Sequence, residues 1–195
     1  MKQKELWNQE YKLKKDVWKR ETRDVPVSLK NKKVLELGVG NGKTLISILK
    51  QKPSKVVAID YSKEAVKICK GRFKQENVGI FEDDIINMTF EDNYFDFVIA
   101  YYVLDNLNAN EREKAVHEIK RVLKKKGKIV FEDFASEDFR EKKKTKFHKY
   151  YFKEEDIREM FKSFKVEKIE IKSYFPFKGS KEKRSIVRGV FEKVY

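Results

Sequence analysis

The chain has few residues that could build a disulfide or a metal centre. It contains one cysteine, Cys69, and two histidines, His117 and His148. A single cysteine excludes an intramolecular disulfide and a cysteine-built metal site, and two histidines would need carboxylates beside them to enclose a metal. No apolar run approaches the roughly 18 residues of a membrane span, and the first residues lack the pattern of a signal peptide. We therefore expect a soluble, cytoplasmic protein without metal or membrane.

The composition indicates one folded domain. The chain has 195 residues, of which 40% are hydrophobic and 13% aromatic, so disorder is not expected although 40% are charged. We predict a single domain over 1–195, with an N-terminal helical arm at 1–30 and a basic, aromatic segment at 134–152 on the substrate side.

The positive charge is unevenly placed. The net charge is +14, yet residues 31–119 hold 13 basic and 14 acidic side chains, so the excess lies in the two flanks. A basic surface attracts polyanions such as nucleic acid. Abundant Lys and Glu are also typical of hyperthermophile proteins, and the sequence leaves both interpretations open.

Short apolar runs alternate with amphipathic segments. Helices are predicted at 1–23, 44–50, 63–76, 109–123 and 153–164, and strands at 33–37, 56–60, 79–82, 96–101, 128–134, 166–172 and 185–193. This alternation indicates an α/β fold with a doubly wound parallel sheet, whose last two strands pair antiparallel because no helix separates them. Ligands of such sheets bind at the carboxyl ends of the strands.

Three glycines follow the first predicted strand, in the stretch VLELGVGNGKT. Gly38, Gly40 and Gly42 have the spacing G-x-G-x-G, whereas the dinucleotide fingerprint is G-x-G-x-x-G. Glu36 precedes them, where an acid would repel a pyrophosphate but suit a cationic amino-acid group. Asp60 ends the second strand, placed to bind ribose hydroxyls. S-adenosylmethionine, a nucleoside with an ammonium group and no pyrophosphate, fits this combination.

From about residue 34 to 134 the chain resembles the class I S-adenosylmethionine-dependent methyltransferases. ELGVGNG is similar to the family's first motif, AIDYS to its ribose-binding loop, and EDDIINMTFEDNYFDFVIAYYVLDNL to its later motifs. The resemblance implies a seven-stranded Rossmann-like sheet and an adenine contact at Asp84, with Asp83 as the alternative register. The implied cofactor-binding residues are Glu36, Gly38, Gly40, Gly42, Asp60, Tyr61, Asp84, Ile85 and Tyr101.

The methyl acceptor stays open between tRNA and a small molecule. GVGNGKT and FHKYYFKEEDIREMF are similar to segments of tRNA wobble-uridine methyltransferases, whose paired histidines are replaced here by Asp105 and Asn106. The N-terminal WNQEY is similar to small-molecule thiol and tellurite methyltransferases. Tyr101 and Tyr102 also follow the fourth strand, where the family places the acceptor. Tyr101 and Asp105 are the predicted catalytic residues.

The segment at 134–152 mixes lysines with aromatic residues. Lysines on phosphates and aromatics on bases are typical of RNA recognition, but a solvated lysine face with buried aromatics explains the same pattern. A small activating protein subunit would be a further partner. Two other classes stay open: a dinucleotide-dependent oxidoreductase, opposed by Glu36 and the early third glycine, and a non-catalytic RNA-binding module on the same fold.

Overall fold

A computed structural model describes residues 3–13, 24–176 and 179–195. Its helices are α1 Gln3–Leu13, α2 Lys43–Lys50, α3 Lys63–Arg72, α4 Ala109–Val122 and α5 Glu154–Met160, with a short 3-10 helix at Leu104–Asn106. Its strands are β1 Lys33–Leu37, β2 Lys55–Asp60, β3 Val78–Glu82, β4 Phe95–Tyr101, β5 Leu123–Phe134, β6 Lys165–Tyr174 and β7 Arg184–Glu192.

The strands form one seven-stranded sheet in the order β3-β2-β1-β4-β5-β7-β6. The first five are parallel neighbours, and β7 pairs antiparallel with both β5 and β6. This confirms the predicted fold class. The strand order reverses between β1 and β4, so their carboxyl ends flank the crevice in which such sheets bind ligands.

Local sequence explains where the helices begin. The Ser62 hydroxyl accepts a hydrogen bond from the Ala65 amide at 3.3 Å and caps α3. At α4, Asn108 accepts from the Glu111 amide at 3.0 Å, and the Glu111 carboxylate accepts from the Asn108 amide at 2.9 Å. This capping box satisfies two amides that the helix itself leaves without partners.

Helices cover both faces of the sheet. One core cluster joins α2 and α3 to β1, β2 and β4. The other joins α4 and α5 to the opposite face through side chains such as Ile119 and Ile157. Because both faces are covered, the central strands carry near-continuous apolar runs, and polar groups concentrate at the strand ends.

Three predicted boundaries were wrong by four or more residues. Helix α5 ends at Met160 rather than at residue 164. Phe73 adopts an extended backbone, so α3 ends at Arg72 rather than at residue 76. Strand β5 follows α4 directly at Leu123, whereas the strand was predicted to begin at residue 128. Lys126 has a positive φ of 62°, and the register with β4 shifts between Phe95 and Phe97, so the chain bends within the strand instead of leaving it.

The predicted N-terminal arm is described only in part. Helix α1 covers residues 3–13, and residues 14–23 lie outside the described residues. Across the described ranges, none of the helices has the length and apolarity to cross a bilayer. The cytoplasmic location stays a prediction.

Candidate active site

A cleft opens at the carboxyl ends of β1, β2 and β4. Its volume is about 130 Å³. Helix α1 covers one side of it and the turn after β4 borders another. It is lined by Trp7, Tyr11, Gly38, Asp60, Tyr61, Asp84, Ile85, Ile86, Tyr102, Val103, Asn106, Leu107 and Glu111. The walls therefore combine aromatic rings with carboxylates.

The loop after β1 brings bare backbone to the cleft. Gly38 and Gly40 have φ angles of 68° and 53°, which side-chain-bearing residues rarely adopt. A Cβ at Gly38 would lie 2.9 Å from Val103 Cγ2, and one at Gly40 would lie 2.7 Å from Tyr11 Oη. The glycines thus form a cradle in which only hydrogen atoms fit between the backbone and its neighbours.

Glu36 lies beneath this loop. It is 3% exposed, its carboxyl accepts a hydrogen bond from the Leu45 amide, and its Oε2 has no hydrogen-bond partner among the described residues. Burial, with Asp60 adding to it, holds the pKa of Glu36 well above its usual range. An unpartnered buried carboxyl oxygen is costly, and an ammonium group would satisfy it.

Asp60 ties the glycine loop to the next helix. Its Oδ2 accepts from the Gly40 amide and its Oδ1 from the Ser62 amide, both at 2.9 Å. Burial raises the pKa of Asp60 to about 6, although these two hydrogen bonds oppose the rise. The carboxylate lines the cleft, where its remaining lone pairs could accept from a ligand's hydroxyls.

The loop after β3 contributes Asp84 and Ile85. Both line the cleft, and Asp84 is exposed. Its neighbour Asp83 turns into its own loop, where the carboxylate accepts from the Asp84 amide at 2.8 Å and from the Thr89 amide at 3.2 Å. This geometry favours Asp84 over Asp83 as the ligand-facing acid. Tyr61 lies nearby, and burial followed by the charges of Asp60 and Asp84 raises the pKa of its phenol.

The predicted catalytic residues Tyr101 and Asp105 do not line the cleft. Tyr101 is buried in the core cluster between β4 and α2, and its hydroxyl donates to the Asp24 carbonyl at 3.3 Å. Asp105 is fully buried and accepts from Lys149 Nζ at 2.6 Å. Its amide donates to Asp133 Oδ2 at 3.0 Å. Burial raises the pKa of both carboxyls, that of Asp133 further because Asp105 lies beside it.

Several cleft residues were not predicted as catalytic or cofactor-binding residues from the sequence. Tyr102 and Asn106 border it because the backbone turns sharply after β4, which strand alternation alone does not reveal. Trp7 and Tyr11 reach it from α1, and Glu111 reaches it while capping α4. The four-residue spacing of Trp7 and Tyr11, on one helix face, was the available signal for the contribution of the arm.

The basic segment is largely neutralised by carboxylates. Lys143, Lys146 and Lys149 pair with Glu182, Glu10 and Asp105, at 2.7, 2.6 and 2.6 Å.

The aromatic rings of the basic segment pack against other rings. Phe147 stacks on Trp7 with ring centroids 4.1 Å apart, and the ring centroids of Tyr150 and Phe152 are 4.9 Å apart. These contacts favour the interpretation of a packed segment over a free RNA-binding face.

Comparison with known proteins decides the family. Residues 35–131 match the family model described as a methyltransferase domain. The chain is an S-adenosylmethionine-dependent methyltransferase. The match spans the cradle after β1, the acidic end of β2 and the turn after β4, so every residue that lines the cleft of this methyltransferase, apart from Trp7 and Tyr11, lies within the matched region.

The methyltransferase has relatives with different acceptors. An uncharacterised protein of Methanocaldococcus jannaschii is 31% identical over 71% of this chain and 74% of its own length. A demethylmenaquinone methyltransferase of Renibacterium salmoninarum is 30% identical over 63% of the chain and 49% of the relative. A tRNA N(3)-methylcytidine methyltransferase of Schizosaccharomyces pombe is 27% identical over 55% and 38%. The chain thus spans half or less of the two relatives with named substrates.

Among solved structures, a Haloferax volcanii methyltransferase in complex with the activator Trm112 has a TM-score of 0.74. Its identity is 16%, and the match covers 99% of this chain and 96% of that one. At this identity the likeness shows the fold alone.

The cofactor of the methyltransferase is S-adenosylmethionine, and the cleft fits it. The unpartnered Oε2 of Glu36 matches an ammonium group, and Gly38 presents backbone without a side chain at the cleft wall. Asp60 and Asp84 offer carboxylates at the ends of β2 and β3. Nothing in the described chain groups three or more His, Cys, Asp or Glu side chains into a metal site.

Proposed function

We propose that the methyltransferase transfers the methyl group of S-adenosylmethionine to a small-molecule acceptor held against Tyr102, Val103 and Leu107. The observation that supports this most is the shape and chemistry of the cleft. It is covered by Trp7 and Tyr11, and its acceptor side is walled by aromatic and apolar side chains. Such a site suits a compact molecule better than a nucleotide within a polynucleotide chain.

The residues divide the work as follows. Glu36 would hold the ammonium group, Asp60 the ribose hydroxyls and Asp84 the adenine amino group of the cofactor. The bound cofactor supplies a methyl group activated by its sulfonium. The protein then has to align the acceptor and exclude water, which supplies most of the acceleration in such a reaction. Trp7 and Tyr11 cover the cleft and would keep water out.

A tRNA acceptor is the second candidate. The tRNA methyltransferase relative and the net charge of +14 support it. Lys142 and Lys144 of the basic segment are exposed, and neither makes an ion pair within the described part of the chain. The likeness to the Haloferax volcanii methyltransferase in its Trm112 complex supports a small activating subunit in this case.

A methyl-transfer assay separates the two acceptors. The purified protein is incubated with tritiated S-adenosylmethionine and either the low-molecular-weight fraction of a cell extract or bulk tRNA, with and without added activator subunit. We expect label in the small-molecule fraction and no salt-sensitive tRNA binding. Labelled tRNA, with affinity that falls steeply as salt rises, would establish the second candidate instead. The double variant Lys142→Glu, Lys144→Glu is the matched control, because it should weaken only the tRNA reaction.

A further inference from the structure

The cleft is lined by acids without matching bases. Asp60, Asp84 and Glu111 line it, and within the described chain none of its lining residues is a Lys, Arg or His. The proposed cofactor contacts use Asp60 for the ribose and Asp84 for the adenine. Glu111 is the lining acid that these contacts leave unused.

Glu111 lies in the first turn of α4, close in sequence to Leu107 at the acceptor wall. Its Oε2 accepts from the Asn108 amide at 2.9 Å, which fixes the carboxylate, while its Oε1 makes no hydrogen bond within the described part of the chain. Burial first, and then the charges of Asp60, Asp84 and Glu111, raise the pKa of the Tyr61 phenol, which also lines the cleft. The charge of Glu111 is therefore felt inside the cleft.

The cations nearest to this wall are already engaged elsewhere. Arg112 Nη1 donates to the Leu107 carbonyl at 2.5 Å, and its guanidinium lies 4.2 Å from the ring centroid of Tyr150. Lys149 Nζ donates to the buried Asp105 at 2.6 Å. Among the residues that the structure describes, Glu111 has no ion-pair partner. Its negative charge is thus available to a ligand.

A second acceptor atom without a partner lies on the same wall. Asn106 lines the cleft, and its Nδ2 donates to Asp105 Oδ1 at 2.6 Å, so the orientation of the amide is fixed. Its Oδ1 is buried and has no hydrogen-bond partner in the described structure. An unpartnered buried oxygen is costly, and a ligand N–H group would satisfy it.

A protonated amine supplies what this wall lacks. It carries a positive charge and up to three N–H donors, and charge-assisted hydrogen bonds to a carboxylate are the stronger ones. The aromatic rings of Trp7 and Tyr61 line the same cleft, and ring faces attract cations. An acceptor with a phosphate or carboxylate at this position would instead be repelled by Glu111.

We propose that Glu111, together with the amide oxygen of Asn106, anchors a protonated amine of the acceptor, so that the methyltransferase acts on small amine-bearing molecules. This rests on the proposed small-molecule function. Because a protonated amine has no lone pair, it orients the acceptor, and another atom of the acceptor receives the methyl group.

The test compares the binding of three probes to protein saturated with S-adenosylhomocysteine at pH 7: phenethylamine, phenethyl alcohol and phenylacetate. The probes join a positive, a neutral and a negative end to the same ring. We expect the amine to bind about tenfold more tightly than the alcohol, and phenylacetate to bind least. Equal affinity for the three probes, or no binding of any of them, would overturn the proposal.

Glu111→Gln removes the charge and keeps the start of α4, because glutamine also serves in this position of a capping box. We expect this variant to bind the amine about tenfold more weakly than wild type and the alcohol within twofold. Glu113→Gln, at an exposed acid of α4 outside the cleft, is the matched control and should bind all three probes like wild type. A preference for the amine that survives in Glu111→Gln would overturn the anchor.

The affinity for S-adenosylhomocysteine shows whether the variant still has an intact cofactor site. It should be the same in Glu111→Gln and in wild type. A selective loss of that affinity in Glu111→Gln would place Glu111 among the cofactor contacts and overturn its assignment to the acceptor.

A last measurement distinguishes failure of the anchor from failure of the proposed function. The low-molecular-weight fraction of a cell extract is labelled with tritiated S-adenosylmethionine, and the products, separated from unreacted cofactor by reversed-phase chromatography, are passed over a cation exchanger at pH 7. We expect the labelled product to be retained. A labelled product that passes through would overturn the amine anchor and leave the small-molecule function standing, whereas label confined to tRNA would overturn both.

Discussion

Replacement of Asp60 by Asn tests the polar centre of the cleft in two ways. Burial raises the pKa of Asp60 to about 6 in the folded protein, against 3.8 when it is exposed. The folded state therefore holds the proton more tightly, and this contribution to stability is complete below pH 4 and is lost as the pH rises through 6. Because each pH unit corresponds to about 1.4 kcal/mol, the ionised carboxylate lowers the stability of the ligand-free protein by roughly 3 kcal/mol at pH 8.

An asparagine at position 60 does not ionise, so the variant should lack this pH dependence. Urea unfolding at pH 4 and pH 8 should show the stability of Asp60→Asn relative to wild type rising by about 2.5 kcal/mol across the interval, because Asp60 of the unfolded chain is already partly ionised at pH 4. An asparagine side chain has one acceptor oxygen, so the variant loses the hydrogen bond from either the Gly40 amide or the Ser62 amide. This loss is the same at pH 4 and pH 8, so it cancels in the comparison. Asp24→Asn, an exposed acid outside the cleft, is the control. Parallel stability curves for Asp60→Asn and wild type would refute the reasoning.

The same variant should bind the cofactor product poorly. Hydrogen bonds to a charged group contribute about 1.5–3 kcal/mol, so the loss of the carboxylate should weaken S-adenosylhomocysteine about 10- to 150-fold, measured by calorimetry at pH 8. Affinity within twofold of wild type would show that Asp60 does not hold the ribose.

Three further predictions concern the same cleft. Burial holds the pKa of Glu36 well above its usual range, so binding of the ammonium-bearing product at pH 7 should release up to one proton from the wild-type protein and none from Glu36→Gln. Calorimetry in buffers of different ionisation enthalpy measures the number of protons released. Equal proton release by the two proteins would contradict the role of Glu36. Gly38→Ala puts a Cβ 2.9 Å from Val103 at a positive φ. Thermal denaturation should therefore show a free energy of unfolding lower by about 1–2 kcal/mol, and the variant should not bind the product. Retained binding would show that the product does not lie against the glycine cradle. The 130 Å³ cleft is smaller than the roughly 300 Å³ of a typical ligand pocket, so α1 should move when the product binds. In a Trp18→Phe variant, in which Trp7 is the remaining tryptophan, binding should change the fluorescence spectrum. An unchanged spectrum would mean that α1 stays in place.

Much of the fold follows from the alternation of apolar strands with amphipathic helices. The failures occur where local periodicity does not determine the backbone. Phe73 continues the apolar stripe of α3, yet its backbone is extended and its ring packs beside Gly42. The strand predicted from residue 128 begins at Leu123, because pairing with β4 and β7 keeps the chain in the sheet. In both places tertiary contacts override local propensity.

The cofactor side of the cleft was more predictable than the acceptor side. Gly38, Asp60 and Asp84 lie at strand ends, and motif spacing alone locates them. The choice between Tyr101 and Tyr102 depends on one left-handed residue, which spacing does not reveal. Asp105 carries a suitable side chain but is buried against Lys149, a partner 44 positions away in sequence. Long-range ion pairs of this kind are visible only once the fold is known.

The central claim is that the cradle after β1, with Glu36 beneath it, holds a cationic sulfur nucleoside. The most direct measurement is calorimetric titration of the wild-type protein with S-adenosylmethionine, S-adenosylhomocysteine and NAD. The structure predicts saturable one-to-one binding of the two sulfur nucleosides and none of NAD. Binding of NAD with no response to either sulfur nucleoside would contradict the account.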